Sequence, residues 1–359
     1  MATLHVSFGP QHPGSGPMRL ILDLDGDIVV KAVPDIGYVH RNIEKIAEKR
    51  SHIVNVPVLE RISNIDSFNA SLGYIMAVEE LMNITPPPRA QFIRVIMSEL
   101  NRIMSHLYGL AISFESSGLL APLYWGIADR ELFLDLAEMV TGSRITYTYA
   151  MLGGVREDLP NGFKDQAIKT FNYFEKRLDE YYDMIFGNKT YQMRLKGVGV
   201  LKHDDAIKLG VTGPTLRGSG VNVDVRVDEP YAAYEQIDFK IITEKTGDSF
   251  ARAMVRFNEI RESMSIIRKA LDKLPEGPFR ERAPFRTPEG EAYSRIESGR
   301  GEIGYYVVSD GTDKPYRVKI SAPSFRNISA LPHMMKGAHM ADVPIIIFST
   351  DPWPFDSDR

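Results

Sequence analysis

A phenol in an apolar run, an imidazole in a glycine- and proline-rich loop, and a carboxylate-rich tail are where this chain could do chemistry. Tyr74 stands in Ser71-Leu72-Gly73-Tyr74-Ile75-Met76-Ala77-Val78-Glu79-Glu80. Its hydroxyl can donate a hydrogen bond and a proton. On composition alone, though, an amphipathic core tyrosine with a satisfied hydroxyl is the ordinary reading. His12 lies in Gly9-Pro10-Gln11-His12-Pro13, where an imidazole could donate a proton near neutral pH or order the loop through a backbone hydrogen bond. His106, four residues after Arg102, reads as a satisfied core histidine. Glu44, Arg94, Glu99, Arg102, Arg130 and Glu131 could form buried or interfacial ion pairs, or simply solvated faces. Asp351, Asp356 and Asp358 beside Arg359 read either as hard-metal ligands or as salt-bridge partners.

The chain has no cysteine. It therefore carries no disulfide, no reactive thiol and no thiolate-held iron–sulfur cluster. Any redox centre must belong to a partner or a diffusible ligand. Gly197-Val198-Gly199 and Gly218-Ser219-Gly220 lack the third glycine of the dinucleotide fingerprint, and no phosphate loop is present. A net charge of -4 argues against a nucleic-acid partner, which needs a basic face. No run approaches the roughly 20 apolar residues that span a bilayer, and no secretory signal is apparent.

The elements that must position these groups follow from periodicity. Residues 3–8 and 18–32 alternate as strands, with Leu20, Leu22 and Leu24 on one face and a turn at Asp25-Gly26-Asp27. Ile65, Phe68, Leu72, Ile75, Val78 and Leu81 make a helical stripe. Thr85-Pro86-Pro87-Pro88 ends that helix and starts the next, over 89–113, which should be buried on more than one side. Further helices are expected over 126–140, 162–186 and 248–273, and strands from Gly301 to Ile320 and over 343–349. The expected architecture is α+β, a central helical bundle with small antiparallel sheets from the two chain ends. Its parts are a β subdomain over 1–39, a mainly helical core over 40–275 and a β-containing segment over 276–359.

The Gly9–Pro13 loop is followed by Gly37-Tyr38-Val39-His40-Arg41-Asn42-Ile43-Glu44-Lys45 and Gly153-Gly154-Val155-Arg156-Glu157-Asp158-Leu159-Pro160. Then come Thr212-Gly213-Pro214-Thr215-Leu216-Arg217-Gly218-Ser219-Gly220, Arg300-Gly301-Glu302-Ile303-Gly304-Tyr305-Tyr306 and Tyr316-Arg317-Val318-Lys319. Over nearly the whole chain and in order, these motifs resemble the 49 kDa (D) subunit of respiratory complex I. That is the quinone-site subunit of proton-pumping NADH:quinone oxidoreductases, related to the [NiFe]-hydrogenase large subunit. The chain is short between Leu274 and Arg300, which resembles the compact archaeal members. In the hydrogenases, Arg61-Ile62-Ser63-Asn64-Ile65-Asp66 would read R-x-C-G-x-C and Asp351-Pro352-Trp353-Pro354-Phe355-Asp356 would read D-P-C-x-x-C. Ser63, Asp66, Trp353 and Asp356 thus stand at former nickel-ligand positions, and without thiolates the soft nickel–iron centre cannot form. The frame favours salt-bridging and cavity closure for the terminal aspartates.

The resemblance implies a hydrogenase-like fold and a cavity where a lipid-soluble acceptor is reduced, coupled to proton translocation. Electrons would come from a [4Fe–4S] cluster in a small iron–sulfur (B-like) subunit, with a 30 kDa (C-like) subunit and a membrane-arm (H-like) subunit as further partners. The chain would be a peripheral membrane protein on the cytoplasmic side, inactive alone, with any NADH oxidation left to another subunit. Tyr74 and His12 would be the catalytic pair, with Gly9, Pro10, Gln11, Pro13 and Ser116 around the acceptor. Arg61 and Thr146 would lie near the partner's cluster. Ser116 stands where the family has an aspartate and Thr146 where it has a histidine, and the loop lacks the second histidine. These departures point to menaquinone or a methanophenazine and to a cluster potential nearly independent of pH; the donor stays open between NADH, reduced deazaflavin and ferredoxin. The alternative is a non-catalytic scaffold that docks the iron–sulfur subunit on the membrane arm.

Overall fold

The computed structural model describes residues 4–12 and 16–359. Pro13 lies outside the described residues, as do Gly14 and Ser15. The alternation of Leu20, Leu22 and Leu24 becomes the buried face of β2 (Arg19–Asp25), the middle strand of an antiparallel sheet with β1 (Leu4–Phe8) and β3 (Ile28–Asp35). That face packs on Met334, Met335, Val343, Ile346 and Ile347, so the first strands share a core with the C-terminal part of the chain. Gly16 and Pro17, just before β2, thereby come to the end of the chain beside Pro354.

The centre is helical: α1 (His52–Glu60), α2 (Ser67–Met82), α3 (Pro88–Ser116), α4 (Leu120–Thr141), α5 (Phe163–Tyr181) and α6 (Ser249–Lys273). Pro88 opens α3, where a missing N–H costs nothing, and Gly142 closes α4 in the left-handed region at φ 74°. The Asp248 carboxylate caps α6 by accepting from the Ala251 N–H, an interaction worth about 1 kcal/mol. α3 packs against both α4 and α6, and Phe92, Ile96, Leu100, Ile103 and Met104 are all buried. A helix enclosed on several sides can offer polar side chains only to interior partners. Gly153-Gly154 forms a tight hairpin between β4 (Ala150–Met151) and β5 (Gly154–Val155).

The C-terminal sheet is a meander of β6 (Gly290–Ser298), β7 (Gly301–Ser309) and β8 (Pro315–Ser321). It lies flat on α2 because Gly73 has no side chain; a Cβ there would meet the Tyr305 ring at 2.9 Å. β6 lies outside the expected strands because its buried face carries Ala292, Ser294 and Ile296, too little hydrophobicity to mark a period of two. The stretch 343–349, expected as a strand, is a helix, Val343–Thr350. Pro344 in its first turn suits a helix start, and packing against α3 and α6 outweighs the strand preference of its isoleucines. A last short helix, Pro354–Asp358, ends the chain. The whole is α+β, helical at its centre with small antiparallel sheets from both ends. Among the described residues no helix is long and apolar enough to cross a membrane.

Candidate functional site

The C-terminal end of the chain and α3 converge on Arg300, a buried guanidinium at the β6–β7 turn. It donates from Nε to the Asp351 carbonyl (3.1 Å), from Nη2 to Asp351 Oδ1 (3.2 Å) and from Nη1 to Ser105 Oγ of α3 (3.1 Å). Its face lies over the Trp353 ring, 5.2 Å from the centroid. Asp66 accepts from the neighbouring Gly299 N–H (2.6 Å) and from Asn69 Nδ2 (2.8 Å). Asp356 accepts from Ser324 Oγ at 3.0 Å, and the same hydroxyl oxygen accepts from the Trp353 N–H at 2.8 Å. Burial pushes the Asp356 carboxyl up to about 7, helped by the nearby Asp66 charge and opposed by Arg300 and Ser324.

This donor set does not fit a nickel–iron centre. It offers a hydroxyl, two carboxylates and an indole where soft thiolates are required, and Arg300 brings a fixed positive charge into their midst. Among the described residues no group of three histidine, cysteine or acidic side chains could hold a metal ion. What the frame does contain is unsatisfied polarity. Ser63 Oγ, Asp351 Oδ2, Trp353 Nε1 and Asp356 Oδ1 are buried without hydrogen-bond partners, each at a cost of about 1–3 kcal/mol.

Beside them is a cavity of about 220 Å³, lined by Gly16 and Pro17 of the β1–β2 loop, Tyr108 and Ile112 of α3, and Ile347, Phe348 and Asp351–Phe355. The lining is mostly aliphatic and aromatic; Trp353 meets Tyr108 edge-on at 6.2 Å and Phe355 at 5.4 Å. A larger groove, about 550 Å³, runs between α1, the Gly153-Gly154 hairpin and Phe279–Ala283. It touches none of the frame residues and is rimmed by Arg156, Arg280 and Arg282 with Glu157 and Glu281. The smaller cavity is therefore the candidate site, by its chemistry.

The expected site residues divide. Trp353 lines the cavity, Asp66 and Asp356 lie near Arg300, and the Ser63 carbonyl accepts from the Asp66 N–H at 3.0 Å. Tyr74 does not face the cavity: it is wholly buried between α1 and the C-terminal sheet, its oxygen 2.9 Å from His52 Nδ1 and 3.4 Å from Asn55 Nδ2. Its phenol is enclosed by the residues of this chain. His12 is exposed on the loop, its ring tilted against Phe8 at 4.1 Å; Gly9, Pro10 and Gln11 are likewise absent from the lining, which takes the far end of the loop, Gly16-Pro17. Ser116 caps the end of α3, its Oγ donating to the Ser113 carbonyl at 2.8 Å. Eight residues beyond Tyr108, it lies about 12 Å further along the helix and does not line the cavity.

Arg61 and Thr146 do come to one edge. Glu60 Oε1 accepts from the Tyr147 N–H (2.6 Å) and the Thr148 N–H (2.9 Å), which ties the segment after α4 to the end of α1. Arg61 is exposed there, its Nη1 donating to the Pro57 carbonyl at 2.5 Å, and Thr146 is held at φ 59°.

The charged residues are mostly interior pairs. Arg94 grips Glu79 with two bonds of 2.8 and 2.6 Å. Glu99 accepts from Arg102, Arg226, Tyr234 and Ser263. His106 Nε2 lies 2.7 Å from Glu259, which also receives Arg217 at 2.8 Å, so the histidine is a core residue on that side. Arg130 donates to the Met104 carbonyl and covers the Tyr108 ring, while Glu131 pairs with Arg144 and Glu44 with Lys319 at the surface. Arg300 and Tyr108 escape sequence reading because their partners lie far along the chain.

Known proteins are similar to this chain over almost its full length. The profile of the family described as "Respiratory-chain NADH dehydrogenase, 49 Kd subunit" matches residues 117–287 and 282–359. The D subunit of the F(420)H(2) dehydrogenase from Methanosarcina mazei is 44% identical, over 99% of this chain and 97% of that protein. The NADH-quinone oxidoreductase subunit 4 of Thermus thermophilus is 42% identical, over 99% and 94%. A chain from the structure of the membrane-bound sulfane sulfur reductase, an archaeal respiratory membrane complex, superposes with a TM-score of 0.96 at 38% identity, over 99% of this chain and 98% of that one.

Proposed function

The chain belongs to the family of the 49 kDa subunit of respiratory-chain NADH dehydrogenases, and from that premise we propose that its C-terminal cavity receives a lipid-soluble two-electron acceptor. The acceptor is a quinone, in first place menaquinone, or a methanophenazine. Electrons arrive from the [4Fe–4S] cluster of a small iron–sulfur subunit docked near Arg61 and Thr146. A 30 kDa subunit and a membrane-arm subunit complete the assembly on the cytoplasmic side, and acceptor reduction is coupled to proton translocation. The observation that carries this reading is the apolar cavity itself, with Trp353 of the former ligand positions on its wall, in a chain with no cysteine. A flat ring system suits walls of Tyr108, Trp353 and Phe355, because aromatic faces bury apolar area at fixed geometry.

The donor is reduced deazaflavin, NADH or ferredoxin; the names of the relatives from Methanosarcina and Thermus favour the first two. A second reading, reduction of sulfane sulfur, is favoured by the name of the structural relative and disfavoured by the apolar lining. A third, a scaffold without contact to substrate, draws support from the enclosed position of Tyr74.

Filling the cavity separates these. Ile112→Trp in the assembled complex should lower reduction of menadione and of 2-hydroxyphenazine by reduced methyl viologen at least tenfold, with subunit composition and cluster spectrum unchanged. Undiminished turnover of both acceptors would refute the cavity as their site. Sulfide release from polysulfide that persists while ring reduction is never detectable would favour the second reading.

A further inference from the structure

We infer that Tyr108 is the hydrogen-bond donor that fixes the acceptor ring in the cavity, with Asp351 Oδ2 on the same lining as the group that receives a hydrogen bond from the reduced form. This rests on the reading just given and names the polar groups of that site.

Tyr108 lines the cavity, and among the described residues nothing hydrogen-bonds its hydroxyl. The interior phenols of Tyr149, Tyr181, Tyr234 and Tyr305 reach the Glu157 carbonyl, Asp129, Glu99 and the Ala70 carbonyl, whereas the buried Tyr191 hydroxyl has no partner among the described residues. The ring is nevertheless fixed. The Arg130 guanidinium lies 5.9 Å from its centroid on one side and Trp353 packs edge-on at 6.2 Å. A held ring with an unpaired hydroxyl at an apolar cavity is a donor waiting for an acceptor atom.

Asp351 stands next to it because residue 109 is glycine. A Cβ at Gly109 would sit 2.8 Å from Asp351 Oδ2, so any side chain there would push the carboxylate away from α3. Oδ1 is committed to Arg300, whereas Oδ2 is buried and unpaired. The Trp353 indole N–H, on another wall of the same cavity, is likewise buried without a partner. Burial and the Asp351 charge both push the Tyr108 phenol up, so it stays a donor throughout the physiological range.

Two unpaired donors and one unpaired carboxylate oxygen around an apolar space select a particular ligand. The oxidised ring offers only acceptor atoms, a quinone carbonyl or a phenazine nitrogen, which suit Tyr108 and Trp353. After it takes up two electrons and two protons, an O–H or N–H is available to donate to Asp351 Oδ2. The site thus has two donors for the oxidised ligand and a carboxylate oxygen that engages only the reduced one.

The test uses the assembled complex, reduced methyl viologen as electron source, and menadione and 2-hydroxyphenazine as acceptors. Tyr108→Phe should raise KM about tenfold for both, the loss of one hydrogen bond, with kcat within about twofold. If Ile112→Trp blocks turnover but Tyr108→Phe leaves KM unchanged, the inference is overturned and the cavity stands. If Ile112→Trp has no effect, the cavity reading fails and this inference with it. A second measurement needs no loss of the hydroxyl: 3-fluorotyrosine placed at position 108 should show a fluorine resonance that moves when 2-hydroxyphenazine is added. An unmoved resonance at saturating acceptor would also overturn the assignment.

Discussion

Two clusters of buried charge lie on the same helix, and they differ in how completely they are paired. Around Glu99 both carboxylate oxygens are taken up: Arg102 and Arg226 donate to Glu99, Asp224 takes two bonds from Arg226, and Tyr234 and Ser263 complete the shell. Two helical turns further on, around Arg300, Ser63 Oγ, Asp351 Oδ2, Trp353 Nε1 and Asp356 Oδ1 are left without partners. The first cluster ties α3 to α6 and to the residues before it, and has nothing left to offer a ligand. The second keeps polar capacity in reserve beside an apolar cavity. A fully satisfied polar network rigidifies a core; an unsatisfied one in a native protein calls for an explanation, and here a bound acceptor supplies it.

The comparison can be broken at its structural end first. Glu99→Gln leaves two buried guanidiniums facing a neutral amide, and breaking a buried pair in this way costs about 3–5 kcal/mol. The expected outcome is a sharp fall in recovery of assembled complex and in its unfolding midpoint. Wild-type stability in this variant would show that the Glu99 cluster contributes no more than a surface pair.

The second cluster should show itself through pH. The buried Asp356 carboxyl titrates at about 7, whereas in the unfolded chain it titrates near pH 4. Between those values the folded chain holds a proton that the unfolded chain has released. The contribution of this group to stability therefore falls as pH rises through that window and levels off above it. Asp356→Asn removes the effect. Between pH 5 and pH 8 the unfolding free energy of wild type should fall more than that of the variant, by an amount on the order of a few kcal/mol. Parallel curves would mean that Asp356 is ionised when buried.

The smallest effect is expected at Tyr74. Tyr74→Phe removes contacts with His52 and Asn55 and should cost about 1 kcal/mol of stability. KM for either acceptor should not change. A rise in KM would return Tyr74 to the site and would mean that α1 moves away from it in the assembled complex.

Much of the fold was legible because single residues punctuate it. Pro86-Pro87-Pro88 separates α2 from α3, Gly142 stops α4, and the spaced leucines of β2 declare a one-sided strand. The exceptions have physical causes. Six apolar residues from Val343 satisfy a buried strand or a short helix equally well, and only the place between α3 and α6 decides. β6 hides a period of two behind alanine and serine. At the site, the former ligand positions could be named from their motifs and do converge. Tyr108 could not be, since its spacing on α3 is that of any half-buried tyrosine and its neighbours Asp351 and Trp353 come from the far end of the chain. Tyr74, chosen for its motif, belongs to the packing of α2 against Tyr305.

The central claim is that a ring-shaped acceptor enters the cavity between Pro17, α3 and Trp353. Photoaffinity labelling of the assembled complex with an azido-menaquinone, followed by peptide mapping, tests it most directly. The account predicts adducts on the peptides that contain Tyr108–Ile112 and Phe348–Phe355, lost when unmodified menaquinone is present. Adducts confined to other subunits, or to the groove under Phe279–Ala283, would contradict it.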